Sequence, residues 1–378
     1  MRKFVFFILC LEGAILSFNV SAASALVPSI AKDFRVEAFL VGKIIWLYML
    51  PYGVAALFYG PLVRVFNIKF IEVSCFFCFL LANLLVAISK NIFTLYLARF
   101  FMGVFGASVI PLVLILIANN VESKKRGKLV GIFFASTFFS SLLGLLLSGL
   151  IFWRFIFLIP AILGFLLLII MVFYFPNFNL KKETFKIRYL EAFKDKKMLS
   201  IFIYIFLISL LYHGLQQWLG VYFSKRFNFA QPTISFLITL TSLSGIFGEI
   251  IGGWFSDKLG RLLTINLGIS LMMLSVFLLI FKMPLVILAI ILIVWGLGWT
   301  FNHAGLSTIL TDLPKNLLNE AASLNSSVRF FSGGLGVFVF GLINRKNFLL
   351  GLCTLGILLF ILRLVTRYFL KEEGTNVF

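Results

Sequence analysis

Long apolar runs recur along the whole of this chain, and they constrain its fold more than any other feature. Lipid offers a backbone no hydrogen-bond partners, so a segment that crosses a membrane must satisfy its own N–H and C=O groups, which favours helices. A run of about 18 or more apolar residues can cross a hydrocarbon core of about 30 Å as a helix. We predict twelve such helices, at residues 4–30, 38–62, 68–88, 92–118, 128–152, 154–175, 199–223, 230–256, 262–281, 284–311, 320–343 and 347–370.

The composition of the chain excludes a water-soluble protein, because 61% of its 378 residues are hydrophobic and only 12% are charged. In a soluble protein the net charge of +19 would favour nucleic acid as a partner. Here the basic residues concentrate on one side of the predicted membrane, above all between Lys181 and Lys197. This positive-inside bias predicts that both termini are cytoplasmic. It also predicts that the basic residues face anionic lipid headgroups, and that nucleic acid is not a partner.

An internal repeat divides the chain into two similar halves. Gly60 and Gly253 are 193 residues apart (253 − 60 = 193), and each ends an apolar run that leads into a short basic turn. Repeated sets of helices at a constant offset indicate repeated structural units. We therefore predict two six-helix halves, residues 1–175 and 199–378, joined by a basic cytoplasmic linker at residues 176–198.

Between the eighth and ninth predicted helices the chain reads G-x-x-x-D-x-x-G-R, with Gly253, Asp257, Gly260 and Arg261 at the fixed positions. Asp257 ends the eighth helix, and Gly260 permits a tight reversal into the ninth. This turn resembles the cytoplasmic gating motif of the major facilitator superfamily, in which two helices are joined by a short charged loop.

Three further stretches resemble the same superfamily. The segment from Arg99 to Gly103 resembles its fourth-helix motif, and Trp153 to Phe157 resembles the outer turn between helices five and six of its drug-efflux members. The segment that ends at Arg329 resembles their eleventh helix. The resemblance covers the whole chain. It implies an all-α integral membrane protein with twelve helices in two pseudo-symmetric halves, and a solute bound between the halves near the midplane.

The chain also departs from the pattern of that superfamily. The first half carries Arg64 where the second carries Asp257, so its copy of the gating turn lacks the acid. Drug:proton antiporters often carry an acid in the first helix at the position that Asn19 occupies here. Their fifth-helix motif lacks its proline in the segment from Gly144 to Gly149. These departures weaken classical drug:proton antiport without excluding it.

Among the charged residues within the predicted helices we single out four, because burying a charge in a membrane costs about 2.5–3.5 kcal/mol on insertion scales: Glu12, Arg99, Glu249 and Arg329. Their counterparts at the 193-residue offset are uncharged, so the repeated scaffold does not itself require them. We assign Glu12 and Arg99 to proton coupling; the alternatives are an acid paired with a nearby base and an arginine held by packing. Glu249 is assigned to structure or gating, and Arg329 to the solute cavity or to helix pairing.

Polar and aromatic residues cluster at mid-depth in the seventh and tenth predicted helices. Both histidines of the chain, His213 and His303, lie there, and histidine can relay protons because it titrates near neutrality. Tryptophan and tyrosine offer flat contacts to an organic solute. The candidates for the substrate cavity are Asn19, Tyr212, Gln216, Gln217, Trp299, Asn302 and Arg329. The alternative for each is a satisfied packing residue.

The sequence indicates neither a cofactor nor a metal site. It has no G-x-x-x-x-G-K-[ST] loop to hold ATP. The two histidines are far apart, and Cys75 and Cys78 lie in an apolar run, so neither a metal cluster nor a nucleophile–base pair is indicated. We therefore do not expect an enzyme.

Together these features predict a monomeric secondary transporter that moves a small organic solute by alternating access, with proton-coupled efflux as the preferred direction. The bias toward Phe, Ile, Lys and Asn suggests an AT-rich bacterial genome and hence the inner membrane. Two alternatives remain open. Arg99 and Arg329 suggest proton-coupled uptake of an organic anion, and the altered first-half turn suggests a transporter-like membrane sensor that no longer moves solute.

Overall fold

The computed structural model describes residues 3–63, 65–178, 194–311 and 318–370, and every regular element within these ranges is an α-helix. The linker predicted at residues 176–198 and Arg64 of the first-half turn lie largely or wholly outside them. The fifteen helices are α1 (Lys3–Phe18), α2 (Ala22–Phe34), α3 (Ala38–Leu62), α4 (Ile68–Ile88), α5 (Ile92–Gly106), α6 (Val109–Asn120), α7 (Ser123–Ser148), α8 (Trp153–Tyr174), α9 (Lys196–Gln216), α10 (Leu219–Phe227), α11 (Gln231–Leu259), α12 (Arg261–Leu279), α13 (Leu285–Thr311), α14 (Leu318–Lys346) and α15 (Phe348–Leu370).

The helices account for the predicted membrane spans. Eleven segments of the described chain are long and apolar enough to cross a membrane, and the bent pair α1–α2 makes a twelfth when it is counted as one span. Helices α5 and α6 together form the span Ile92–Ile117, and α9 and α10 form Lys196–Phe227. The prediction of an all-α integral membrane protein with twelve spans is confirmed.

The first span is broken near its middle. The sequence predicts one helix over residues 4–30, but α1 and α2 meet at an angle of 41°. Polar side chains hold the break: the Asn19 amide donates to Asn83 on α4, and the Ser141 hydroxyl on α7 donates to Ser21. Pro28 lies inside α2, so the bend coincides with the polar residues rather than with the proline.

The described residues form two compact units. Unit 1 comprises the described part of residues 1–187 together with residues 216–239, and unit 2 comprises the described part of residues 188–215 together with residues 240–378. Helix α10 and the first turns of α11 therefore pack with the helices of the first sequence half. Since α11 runs unbroken from Gln231 to Leu259, its first turns belong to unit 1 and the rest of it to unit 2.

Unit 1 is built on close helix contacts. Helix α1 packs against α7 and α8, α3 against α5, and α4 against α5 and α8. Helix α10 packs against α2, where Gly220 lies on the Ser24 carbonyl, and the Trp218 ring lies on Gly42 of α3. At the start of α11 the Gln231 amide donates to the Ala25 carbonyl at 2.9 Å.

Unit 2 is a second helical bundle. Helix α12 packs against α13 and α15, and α14 also contacts both of these helices. In both units large apolar side chains stay exposed on outward faces, such as Phe93, Phe173 and Phe277. Exposed apolar faces of this extent suit a lipid environment, because lipid tails are as apolar as these side chains.

A backbone contact fixes α1 against α7. Gly144 of α7 faces the end of α1, and a Cβ atom at this position would overlap the carbonyl oxygen of Phe18. Gly131 lies on the same helix, but a Cβ atom there would have nothing within 4 Å. A small residue is therefore required at Gly144 by the close approach of two helices, and not at Gly131.

This contact predicts different effects for two glycine substitutions in one helix. Gly144→Ala forces α1 and α7 apart, and we expect it to destabilise the protein by about 1–3 kcal/mol, as overpacking does. Gly131→Ala adds a methyl group to an open helix surface and should be neutral or stabilising by up to about 1 kcal/mol. Thermal unfolding of the purified protein in detergent measures both. Equal unfolding temperatures for the two variants would contradict the assigned α1–α7 contact.

Candidate functional site

The structure distributes the candidate residues between the two units. Unit 1 holds Glu12, Asn19, Arg99, Gln216 and Gln217, and unit 2 holds Tyr212, His213, Glu249, Trp299, Asn302, His303 and Arg329. The four residues assigned to proton coupling therefore do not form one cluster. The acid and the arginine lie in unit 1 with different partners, and the two histidines lie in unit 2.

Glu12 lies against a second buried acid, Glu72. Glu12 is on α1 and Glu72 is on α4, their carboxyl groups are close enough to interact electrostatically, and each side chain is 0% exposed. Within the described chain neither forms an ion pair, and none of their four oxygens has a conventional hydrogen-bond donor. We call these two residues the carboxyl pair.

The carboxyl pair is a candidate site for binding a proton. An ionised carboxylate only accepts hydrogen bonds, so two carboxyl groups can bond to each other only when at least one is protonated. Two unpaired carboxylates in contact in an apolar interior would combine the cost of burying each charge with their mutual repulsion. The carboxyl pair can therefore hold one proton between its two carboxyl groups.

Other polar groups near the carboxyl pair are already engaged. Cys75, one helical turn beyond Glu72, contacts the Tyr59 hydroxyl at 3.7 Å. That hydroxyl in turn donates to the Val104 carbonyl at 2.8 Å. The Tyr59 proton is therefore committed to the backbone.

Arg99 is buried and held by packing against α3 and α8. Its Nε donates to the Ile44 carbonyl at 3.1 Å, and its guanidinium carbon lies 4.5 Å from the centre of the Tyr48 ring and 5.8 Å from that of Phe157. Stacking on aromatic rings stabilises a buried guanidinium without a carboxylate. No contact joins Arg99 to Glu12 in the described chain, so the structure does not bring these two coupling candidates together.

The remaining candidates of unit 1 lie at helix ends. Asn19 is buried at the break between α1 and α2, and its amide is engaged by Asn83. Gln216 ends α9 and is buried, whereas Gln217 follows it, is half-buried and has an Oε1 without a hydrogen-bond donor. Of these three amides, Asn19 serves the fold by joining α1–α2 to α4.

Three aromatic rings stack in unit 2. The Tyr212 ring of α9 lies 4.0 Å from Trp299 at an interplanar angle of 8°, and 5.4 Å from Trp295 at 17°. Trp295 and Trp299 are four residues apart on α13, so both project from the same face of that helix. Tyr212 and Trp295 are buried, while Trp299 is half-buried, and His213 lies edge-on to Trp299 at 5.7 Å.

Arg329 of α14 lies beside this stack. Its guanidinium carbon is 5.7 Å from the Trp299 ring centre, and its Nε donates to Asn325 at 2.7 Å. The side chain is 8% exposed, and its two terminal nitrogens have no hydrogen-bond partner in the described chain. Five residues, Tyr212, His213, Trp295, Trp299 and Arg329, make up what we call the aromatic–arginine face.

Glu249 and His303 form a pair next to that face. The Glu249 Oε1 on α11 lies 2.7 Å from the His303 Nδ1 on α13, and each side chain is 32% exposed. At this distance the imidazole and the carboxylate are in direct contact. The sequence assigns these residues to separate roles, gating and proton coupling, but the structure pairs them.

Asn302 points away from the aromatic–arginine face. It is buried, its amide donates to the Gly298 carbonyl at 2.9 Å, and it contacts Met272 of α12. The Tyr204 hydroxyl reaches its Oδ1 at 3.5 Å. Asn302 therefore belongs to the contact between α12 and α13, where packing engages its polar atoms.

The predicted turn between α11 and α12 consists of a single residue. Helix α11 ends at Leu259 and α12 begins at Arg261, and Gly260 between them has φ 90° and ψ 153°. Residues with a side chain rarely adopt this backbone conformation. Asp257 and Lys258 are exposed beside the turn, Arg261 is half-buried, and a Cβ atom at Gly253 would meet nothing within 4 Å.

Glu72 is the functional candidate that sequence reasoning misses. It lies five residues into the predicted helix 68–88, close enough to the start of the helix to be taken for a residue at the membrane surface. A signal for it does exist. Its counterpart at the 193-residue offset is Ile265, so Glu72 has the same asymmetry as the four charged residues that the sequence does single out.

The family model and the relatives that match this chain agree on one family. The model of the Major Facilitator Superfamily matches residues 9–337. The uncharacterised MFS-type transporter YceJ of Bacillus subtilis is 25% identical, over 93% of this chain and 92% of its own length. The riboflavin transporter RibZ of Clostridioides difficile is 24% identical, over 89% of this chain and 87% of its own length.

A solved structure shares the fold. The crystal structure of the nucleoside transporter NupG superposes with a TM-score of 0.76 and 15% sequence identity, covering 99% of this chain and 100% of that one. At this identity the likeness concerns the fold alone. The prediction of the major facilitator fold is confirmed.

The carboxyl pair predicts how stability depends on pH. Raising the pH removes the shared proton and leaves two carboxylates in contact, so the stabilisation is present at low pH and is lost as the pH rises. We expect the unfolding temperature of the purified protein in detergent to fall from neutral to alkaline pH. Glu12→Gln and Glu72→Gln should each flatten this dependence, because an amide can donate to the remaining carboxylate. Glu37→Gln, at an exposed acid, should keep the wild-type slope; identical slopes in all four proteins would refute the assignment.

The Gly260 backbone predicts a second stability effect. Gly260→Ala places a Cβ atom on a backbone with positive φ, and we expect it to cost about 1–3 kcal/mol. Gly253→Ala, seven residues earlier within α11, is the matched control and should be neutral or slightly stabilising. Thermal unfolding of the two variants in detergent measures the difference. Destabilisation by both, or by neither, would contradict the special role of the turn.

Proposed function

The chain belongs to the Major Facilitator Superfamily, and on that premise we propose that it exports a small organic solute by proton-coupled antiport. Membership makes it a multi-pass integral membrane protein and a secondary transporter rather than an enzyme. The proposal adds three elements to this: the coupling ion is the proton, the direction is outward, and the carboxyl pair of unit 1 binds the coupling proton.

The contact between Glu12 and Glu72 carries the proposal. Both acids are fully buried within membrane-spanning helices and lack a cation partner in the described chain. Ionisable groups at such depth are costly and mark pathways for ions or protons. A purely structural pair of acids would be replaced at little cost by apolar residues, as a buried ion pair often can be.

The carboxyl pair also supplies a physical means of coupling. When the shared proton leaves, two unit charges about 4 Å apart repel by about 4 kcal/mol at an effective dielectric constant of about 20. That repulsion favours separation of α1 from α4, and a returning proton favours their contact. Proton binding thus biases a two-state element of unit 1, which is what alternating access requires of a coupling site.

The outward direction rests on the outer turn that resembles efflux members. In unit 1 that turn is a junction of three helices, since Arg154 of α8 pairs with Asp33 of α2 at 3.2 Å. The same guanidinium donates to the carbonyls of Ala87 and Ser89 at the end of α4, at 2.9 and 2.6 Å. The Trp153 indole also donates to Asp33 at 3.1 Å. Exchange for incoming protons would drive a solute outward.

The setting of the protein is part of the proposal. We infer a bacterial inner membrane, with both termini in the cytoplasm and the basic segments against anionic headgroups. The protein acts as a monomer and uses no cofactor. The small-molecule solute and the proton are its transported partners.

A second candidate is proton-coupled uptake of an organic anion. It is favoured by Arg329, whose terminal nitrogens lack an acceptor in the described chain. Uptake and export differ in the sign of coupling, because a symporter takes up protons when it binds its solute and an antiporter releases them. A transporter-like sensor would bind solute without taking up or releasing protons.

The first experiment measures proton exchange on solute binding. Purified protein in weakly buffered detergent solution is mixed with ethidium, chloramphenicol, naphthalene-2-carboxylate, riboflavin or uridine, and a pH indicator reports protons. The last two solutes follow the names of two matched transporters. For antiport we expect about one proton released per protein by the solutes that bind. Glu12→Gln and Glu72→Gln should abolish the release, because neither variant can exchange the shared proton.

Control variants and solute binding complete the test. Glu37→Gln removes an exposed acid of unit 1 and should release protons like the wild type. If the protein takes up protons when it binds solute, the proposal of solute import replaces that of solute export. Solute binding without any proton exchange, or exchange unchanged in both variants of the carboxyl pair, would refute the coupling proposed here.

A further inference from the structure

Arg329 has a hydrogen-bonding capacity that the described chain does not use. Its Nε is taken by Asn325, but both terminal nitrogens lack an acceptor although the side chain is 92% buried (100 − 8 = 92). A buried guanidinium without acceptors is costly, and the cost is recovered when a ligand supplies them. The two terminal nitrogens form a planar fork that matches two oxygens of one carboxylate.

The neighbouring rings define what the rest of the ligand would be. Tyr212 stacks on both Trp295 and Trp299, and Trp299 is the half-buried ring among the three. It is therefore the ring with surface left for a further stacking partner. Aromatic rings stack best in offset parallel arrangements, which favours a flat ring in the ligand. Trp299 is also the ring closest to the Arg329 guanidinium, at 5.7 Å.

The other charged and titratable groups nearby leave Arg329 available. Glu249 is close enough to interact electrostatically with Arg329, but its carboxylate is paired with His303 at 2.7 Å. His213 lies against Trp299 and Tyr212, and its Nδ1 has no partner in the described chain. This histidine offers one more polar contact at the rim of the ring stack.

From this geometry we propose that Trp299 and Arg329 recognise a planar aromatic solute that bears a carboxylate. The ring of the solute stacks on Trp299, and its two carboxylate oxygens accept hydrogen bonds from the terminal nitrogens of Arg329. The inference rests on the proposed function in so far as the ligand is the transported solute. It holds for export and for uptake alike, because it concerns recognition and not coupling.

Four matched probes test this recognition in the full-length protein in detergent. Naphthalene-2-carboxylate has the ring and the carboxylate, 2-naphthamide lacks the charge, 2-(aminomethyl)naphthalene reverses it, and decalin-2-carboxylate lacks the flat ring. Binding is measured by isothermal titration calorimetry. We expect naphthalene-2-carboxylate to bind at least tenfold more tightly than each of the other three, a difference of about 1.4 kcal/mol, since each of them lacks either the bidentate charged contact or the stacked ring.

Two variants assign the two parts of the ligand to the two residues. Arg329→Gln should lower the affinity for naphthalene-2-carboxylate at least tenfold. It should leave the affinity for 2-naphthamide within twofold of the wild-type value. Trp299→Leu should lower the affinity for naphthalene-2-carboxylate and for 2-naphthamide, and it should leave the affinity for decalin-2-carboxylate unchanged. Arg363→Gln removes a cation from the same unit, where it contacts Ser270 and not the aromatic–arginine face, and should bind like the wild type. Thermal unfolding confirms that each variant is folded.

The outcomes separate this inference from the proposed function. Preference for 2-(aminomethyl)naphthalene would assign recognition to Glu249 and overturn the inference. Absence of binding by all four probes, or carboxylate binding that survives Arg329→Gln, would overturn it as well. Each of these results leaves proton exchange at the carboxyl pair standing. Conversely, loss of proton exchange with intact carboxylate binding would refute the coupling and retain the recognition.

Discussion

The absence of water from the membrane interior is the constraint on which the rest of this structure depends. It forces the backbone into helices, and it makes each buried polar side chain find a partner within the protein. Most do so here: Arg99 uses a carbonyl and aromatic rings, and Asn302 uses its own helix. Two of the exceptions bear on function. Among the described residues, the carboxyl pair lacks a hydrogen-bond donor and Arg329 lacks an acceptor for its terminal nitrogens.

These two exceptions lie in different units. The proton chemistry of the carboxyl pair is in unit 1, and the aromatic–arginine face is in unit 2. The internal repeat provides two similar helix bundles, but the charged positions have no charged counterparts at the 193-residue offset. The two halves of the repeat therefore carry different polar residues on a similar set of helices. In the proposed mechanism, this separation lets the proton and the solute bind to different residues.

Much of the fold could be predicted from the sequence, because long apolar runs admit one backbone structure in lipid. The single-residue turn could also be predicted, since the charges around Gly260 and the adjoining helices locate it.

The residues of the candidate sites were harder to predict from the sequence. Whether Asn302 faces Met272 of α12 or Tyr212 of α9 depends on the rotation of α13, which an apolar sequence on all sides does not reveal. The partnership of Glu12 with Glu72 depends on tertiary packing between α1 and α4.

Helix α11 contributes residues to both compact units. Its 29 residues run without a break, with Gln231 and Ser235 bonded among the helices of unit 1 and Glu249 bonded to His303 in unit 2. Glu249 lies 14 residues beyond Ser235, which is about 21 Å along a helix. The ladder of backbone hydrogen bonds keeps a helix stiff over this length. Because Gly260 is the single residue between α11 and α12, a change in the direction of α11 near Glu249 is transmitted directly to the start of α12.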